Sequence, residues 1–164
     1  LLYPLPSGKK VRFKALIDRV DYVKDCLRIV DYKTGSDLIK VPSIAELFNR
    51  ESEKQYGAIF QVLLYCKLYR ISFPDDKRNL QPLIYKVRDA FKDLSPALST
   101  NDPQLIVAER RAVEINDYDM VASLFEPLLD KCLEEIFDLD IPFTQTAVES
   151  HCKYCDFKTI CKRN

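Results

Sequence analysis

The chain has 164 residues, of which 47% are hydrophobic and 30% charged, a composition typical of one folded domain with a substantial core. Its 25 basic residues balance its 25 acidic residues, so the total charge gives no indication of a nucleic-acid partner, although a bound metal ion would supply positive charge locally. No apolar run approaches the roughly 20 residues of a membrane-spanning helix, and we expect no membrane association.

The N-terminal part of the chain predicts short strands. Alternating apolar residues predict three of them, over residues 11–17, 20–23 and 27–33. Because the connections between them are short, we expect an antiparallel meander. Ser43 is placed to cap a short helix that ends near Asn49.

The rest of the chain predicts two helices with strands between them. Residues 53–71 predict a helix that carries apolar residues around most of its circumference, so it should be largely buried against the sheet. A strand, a loop and a further strand are then predicted, over residues 83–87, 89–103 and 105–115. An amphipathic helix is predicted from Asn116, and Pro127 either kinks it or divides it in two.

Two acidic residues and a lysine lie near the ends of neighbouring predicted strands. Asp31 and Lys33 project from one face of their strand, and Tyr32 projects from the other. An adjacent antiparallel strand brings Asp18 close to Asp31. Two carboxylates are ligands suited to Mg²⁺ or Mn²⁺, and a neighbouring lysine can orient an attacking water. A set of surface charges on a meander explains the same pattern equally well.

A polar pair, Gln61 and Tyr65, occupies one face of the first long helix at a spacing of four residues. Buried polar groups need hydrogen-bond partners. One interpretation directs both side chains at the metal site or at DNA phosphates. From the helix alone, the better interpretation is a core glutamine whose amide is satisfied beside a tyrosine.

Three of the six cysteines crowd into ten residues near the C-terminus, as Cys152, Cys155 and Cys161. This C-x2-C-x5-C spacing predicts a metal site, with zinc or an iron–sulfur cluster as the candidates. A cluster usually takes four ligands, and His151 is poorly placed to share the metal of Cys152. The same tail forms a local basic patch that is suited to phosphate and consists of Lys153, Lys158, Lys162 and Arg163.

Together these motifs resemble the PD-(D/E)XK nuclease superfamily, and more narrowly the RecB-like nuclease domain at the C-terminus of AddB-type helicase–nuclease subunits. The matching motifs are Ile17-Asp18-Arg19-Val20-Asp21, Val30-Asp31-Tyr32-Lys33-Thr34-Gly35, Gln61 to Tyr65, and the three tail cysteines. The resemblance implies an α/β fold with a restriction-endonuclease-like core, a central mixed β-sheet flanked by helices. Residues 1–164 would form this nuclease domain, with residues 151–164 as a cysteine-rich, metal-binding tail.

The resemblance also implies roles for individual residues. Asp18 and Asp31 would bind Mg²⁺ or Mn²⁺ together with the Tyr32 carbonyl, and Lys33 would be the catalytic lysine. Gln61 and Tyr65 would support the active site or the DNA strand. The tail cysteines would bind a [4Fe–4S] cluster whose fourth ligand is not in this chain, with zinc as the alternative.

The implied function is metal-dependent, exonuclease-type hydrolysis of DNA by a helicase–nuclease in recombination and double-strand break repair. DNA and a helicase subunit or domain would be its partners, in the cytoplasm with the nucleoid. The alternatives are a stand-alone nuclease of the CRISPR-adaptation type and a catalytically silent DNA-binding or scaffolding domain.

The sequence departs from the family pattern in ways that bear on activity. Ala15 stands where the family usually has glycine, and the chain lacks the upstream histidine and fourth cysteine of many relatives. Since the chain begins at Leu1 and its only methionine is Met120, we expect it to be part of a longer protein. We therefore expect this piece alone to lack a full cluster and to have weak nuclease activity or none.

Overall fold

The computed structural model describes residues 1–89, 97–100 and 112–163. The strands are β1 (Leu2–Pro4), β2 (Lys10–Arg12), β3 (Arg19–Val23), β4 (Cys26–Lys33), β5 (Lys40–Val41), β6 (Asn79–Lys86), β7 (Ser99–Thr100) and β8 (Val113–Glu114). The α-helices are α1 (Gly57–Ser72) and α2 (Asp119–Ile136), and short 3₁₀ helices lie at Ala45–Phe48, Val87–Asp89 and Glu149–Cys152. In these ranges no helix is both long enough and apolar enough to cross a membrane.

The sheet that matters for the site has the strand order β3-β4-β6. β3 and β4 form an antiparallel hairpin whose tight turn contains Lys24 at a φ of 56°. β6 lies parallel to β4, and α1 is part of the crossover connection that parallel strands require. The sheet is therefore mixed and carries helices, which confirms the predicted α/β class.

The hydrophobic core lies between this sheet and the two helices. α1 packs on β4 and β6 and is buried on most sides, as predicted. It meets α2 through an aromatic cluster in which the ring centroids of Phe48, Phe60 and Phe125 lie 5.4 to 5.7 Å apart. α1 thus fixes the position of β4 from one face and that of α2 from the other.

The predicted three-stranded meander is wrong. Only Val11 and Arg12 of the predicted 11–17 strand are extended, and they belong to β2, which pairs with β1 in a separate two-stranded sheet. The reason is a long-range contact: Tyr3 of β1 is buried, and its hydroxyl donates to Asp130 of α2 at 2.6 Å. The N-terminal hairpin is thereby held on α2 and does not extend the β3-β4-β6 sheet.

Helix α1 and strand β6 start at residues other than those predicted. α1 begins at Gly57 because residues 53–55 are exposed and contribute no apolar contact to the core. β6 begins at Asn79, four residues before the predicted start, since Leu80 is fully buried and pairs with Leu27 of β4. The short helix after Ser43 is confirmed as a 3₁₀ turn, with the Ser43 hydroxyl accepting from the Glu46 N–H at 3.3 Å.

Helix α2 runs through Pro127 as one helix, so the predicted division is wrong. Proline removes one helical hydrogen bond, but Phe125 and Leu129 on either side of it are both buried in the core, and this packing stabilises the helix across the proline. The predicted 89–103 loop contains the short strand β7, and of the predicted 105–115 strand the structure shows β8. Residues 105–111 lie outside the described part of the chain.

Candidate active site

The end of β4 presents a buried carboxylate. Asp31 is 2% exposed and lies on the strand face that also buries Ile29 and packs against α1. Tyr32 projects from the opposite face, where its ring meets that of Tyr85 on β6 at 5.7 Å. The two-residue alternation of the strand therefore places Asp31 and Lys33 together, as the sequence predicts.

Asp18 lies directly before β3 and is brought to the same end of the sheet. In the hairpin register Arg19 pairs with Val30, so the next position places Asp18 opposite Asp31. The Asp18 Oδ2 atom accepts a hydrogen bond from the backbone N–H of Tyr32 at 2.9 Å. This bond holds the exposed carboxylate of Asp18 at the end of β4, beside the buried one.

Lys33 links the buried carboxylate to helix α1. Its Nζ atom lies 2.8 Å from Asp31 Oδ2 and donates to Gln61 Oε1, also at 2.8 Å. Gln61 in turn donates from Nε2 to the Tyr65 hydroxyl at 2.6 Å. The polar pair predicted on one helix face is thus a satisfied pair in the core and also a support for the lysine.

The electrostatics of the site favour an added cation. Burial raises the pKa of Asp31, the nearby Lys33 ammonium lowers it, and the negative charges of Asp18 and Asp37 raise it further, with a net upward shift. Apart from its ion pair with Lys33, the buried Asp31 Oδ2 meets no hydrogen-bond donor in favourable geometry among the described residues. A divalent cation here would relieve both the burial and the repulsion between carboxylates.

Asp37 is a third carboxylate near Asp31 and Asp18 that the sequence motifs did not predict. It lies in the loop after β4, and a Cβ atom at Gly35 would lie 2.9 Å from Asp37 Oδ2. The glycine therefore leaves room for a third carboxylate whose charge acts on Asp31. The signal available in the sequence was an acid close behind a glycine that directly follows the Asp-Tyr-Lys-Thr string.

The residues at the end of β4 fit a hard divalent metal. Mg²⁺ prefers oxygen ligands and usually keeps several waters or substrate oxygens. Asp18, Asp31 and the Tyr32 carbonyl offer such oxygens at one end of the sheet. Within the described ranges, no three His, Cys, Asp or Glu side chains are gathered closely enough to hold a metal unaided. Water and substrate would complete the coordination.

The tail cysteines do not fit a metal centre in this arrangement. Cys152, Cys155 and Cys161 are half-buried free thiols, and they form no metal-binding group within residues 112–163. His151 Nε2 is buried without a hydrogen-bond partner in the described structure. Of the other cysteines, Cys66 is fully buried, which raises the pKa of its thiol and suits a packing role.

Replacing Tyr65 with phenylalanine tests the support network. Gln61 Nε2 would lose its acceptor in a partly buried position, so we expect the free energy of unfolding to fall by about 1 kcal/mol. Urea unfolding of the metal-free protein measures this. Tyr85→Phe, at an exposed position of the same sheet face as Tyr32, is the matched control and should be neutral. Equal stability of both variants would show that the Gln61 amide does not depend on Tyr65.

Comparison with known proteins places this chain in a family. No solved structure gives a match to the chain. The family model for the PD-(D/E)XK nuclease superfamily matches residues 2–162, a range that contains every residue of the site described above. The chain therefore belongs to the PD-(D/E)XK nuclease superfamily, whose members are generally nucleases.

Proposed function

We propose that this chain is a Mg²⁺- or Mn²⁺-dependent deoxyribonuclease that hydrolyses phosphodiester bonds. The observation that carries the proposal is the buried Asp31 carboxylate, with Lys33 at 2.8 Å and Asp18 opposite it across the hairpin. A structural ion pair alone would not require a second carboxylate beside the first. Membership of the nuclease superfamily supports the same chemistry.

In this proposal each side chain has a distinct role. Asp18, Asp31 and the Tyr32 carbonyl would hold the metal, and a metal bound there would supply polarisation of the scissile phosphate and a lowered pKa for a bound water. Lys33 orients the attacking water and stabilises the negative charge that develops on the phosphate. Gln61 positions Lys33 by accepting its hydrogen bond, and Tyr65 fixes the Gln61 amide.

The proposed setting is that of an exonuclease within a RecB-like, AddB-type helicase–nuclease, in DNA recombination and double-strand break repair. DNA and a helicase subunit are the partners, and the compartment is the cytoplasm with the nucleoid. The order of the motifs and the cysteine tail support this setting. The intact Asp31–Lys33–Gln61–Tyr65 network favours an active enzyme over a silent scaffolding domain.

A cleavage assay with the intact protein that carries this chain tests the proposal. Linear end-labelled DNA should be degraded when Mg²⁺ or Mn²⁺ is added, and chelation should stop the reaction. Covalently closed circular DNA should resist, because an exonuclease needs an end. Cleavage that survives chelation, or no cleavage with either metal, would contradict the proposal. Rapid cutting of the circle would contradict the exonuclease part alone.

We also propose that residues 1–164 act as one nuclease domain and that residues 151–164 bind a [4Fe–4S] cluster or zinc, with a ligand from outside the chain. The support is the C-x2-C-x5-C spacing, and metal sites of this kind often assemble only when the ion binds.

Metal analysis of anaerobically purified protein tests the tail. We expect iron with broad visible absorbance for a cluster, or colourless protein with stoichiometric zinc. Cys155→Ser should lower the metal content, because it removes a ligand. Cys26→Ser, outside the tail, should not. The absence of both metals from the intact protein would refute the tail site.

A further inference from the structure

The C-terminal tail winds through successive tight turns. Backbone N–H groups donate to carbonyls three residues earlier at Cys155 (3.1 Å), Lys158 (3.2 Å) and Lys162 (3.1 Å). The Cys161 N–H donates to the Phe157 carbonyl, four residues earlier, at 3.2 Å. In turns that close over three or four residues, side chains three apart project to similar sides. Side chains at this spacing therefore form rows along the tail.

One of these rows is apolar and faces solvent. Tyr154, Phe157 and Ile160 are 87%, 66% and 80% exposed. The three cysteines of the tail are only half-exposed and lie in a different row. Apolar side chains that are exposed next to one another form the kind of surface patch that marks interaction sites.

The flanks of the aromatic row are positively charged. Lys153, Lys158 and Lys162 form no ion pair with any residue that the structure describes, and Asp156 is the only acid within residues 151–163. The Lys153 ammonium lies 5.3 Å from the centroid of the Tyr154 ring. The charge therefore complements an anionic ligand that also has flat apolar surfaces.

We propose that this row binds single-stranded nucleic acid, with bases stacked on Tyr154 and Phe157 and phosphates paired with the flanking lysines. Aromatic side chains beside basic ones are how proteins hold single strands without reading their sequence. The inference rests on the proposed nuclease function for the nature of the ligand. It adds a binding surface for the strand outside the Asp31 site.

The exposure of the two rings favours a single strand over a duplex, because stacking on them needs bases whose faces are free. In a duplex, by contrast, the faces of the bases are covered by neighbouring bases. An anionic membrane, the other partner that basic and apolar residues fit, needs a broader apolar face than three side chains.

Fluorescence anisotropy with a labelled oligothymidylate of about 15 nucleotides tests the inference. No divalent metal is added, so that cleavage does not interfere. The double variant Tyr154→Ala/Phe157→Ala should weaken binding by about tenfold or more. Tyr154→Phe should bind normally because the ring is kept. Lys153→Gln/Lys158→Gln should weaken binding and reduce its dependence on salt.

Tyr22→Ala is the matched control, since Tyr22 is 57% exposed on β3, outside the tail. Matching far-ultraviolet circular dichroism spectra would show that the tail variants are folded. Equal binding by wild type and the aromatic double variant would overturn the inference. Tighter binding to a duplex of the same length would also overturn it. The same holds if the protein does not bind the oligonucleotide but binds vesicles of anionic phospholipid in a way that the aromatic double variant abolishes.

The two proposals fail separately. A wild-type protein that binds the oligonucleotide through this row but never cleaves DNA contradicts the nuclease proposal alone. A protein that cleaves DNA but binds the oligonucleotide equally well with and without the aromatic row contradicts the binding surface alone.

Discussion

Asp31→Asn is expected to slow metal-dependent DNA cleavage by about 10³-fold or more. The substitution keeps the size of the side chain but removes the charge that a divalent cation requires. Because Asp31 is buried beside Lys33 at the end of β4, the substitution leaves an uncharged amide next to the lysine at the centre of the site. Cleavage rates at saturating Mg²⁺ measure the effect.

Asp21→Asn is the matched control for this prediction. Asp21 lies on β3 of the same sheet and is ion-paired with Arg28 at 2.5 Å, so the substitution removes the same charge from another pair. We expect its cleavage rate to stay near that of the wild type. If both variants lose cleavage activity to a similar extent, the Asp31 carboxylate matters only for the stability of the sheet. If Asp31→Asn cleaves DNA at the wild-type rate, Asp31 is not a metal ligand.

Melting temperatures of Asp31→Asn and the wild type, measured across a pH series, test the raised pKa of Asp31 and also show whether the variant is folded. Burial raises the pKa of Asp31 in the folded state above its ordinary value, so the protein loses stability as the pH rises through the folded-state pKa and this carboxyl ionises. Asparagine does not titrate. The melting temperature of Asp31→Asn minus that of the wild type should therefore increase from acidic to neutral pH. A difference that is constant with pH would show that Asp31 has no raised pKa.

Lys33→Met is expected to lower the cleavage rate by about 10²- to 10³-fold and to change its pH dependence. The ammonium now lowers the pKa of Asp31, so its removal raises that pKa and protonates the carboxyl at a higher pH. A protonated carboxyl does not bind metal. The acid limb of the pH–rate profile should thus move to higher pH, as cleavage rates measured across a pH series would show.

Lys67→Met provides the control, because Lys67 is a half-buried lysine of α1 whose ammonium lies 2.5 Å from Glu126. Its side chain is 19% exposed, close to the 22% of Lys33. We expect a wild-type cleavage rate and profile from this variant. If Lys33→Met loses activity without any shift of the acid limb, Lys33 does not act on the ionisation of Asp31.

Local features of the site were predictable from the sequence because they depend on periodicity alone. Asp31 and Lys33 share a face since strands alternate every residue, and Gln61 meets Tyr65 since helical residues four apart are neighbours. The β3–β4 hairpin follows from two apolar runs joined by a tight turn, and it brings Asp18 opposite Asp31.

Contacts between segments distant in the chain were decided only by the tertiary structure. Lys33 and Gln61 are 28 positions apart, and their hydrogen bond exists because β4 packs under α1. Tyr3 is buried and bonded to Asp130 of α2, so the β1–β2 hairpin packs on α2 and β2 does not join the central sheet. The loop at Gly35 places Asp37 where its charge acts on Asp31. The periodicity of the sequence determined which side chains share a face of a strand or helix. The packing of β4 against α1 decided which residues those faces contact. The reason is that burial of apolar surface joins segments distant in the chain, and periodicity within one segment does not specify its partner.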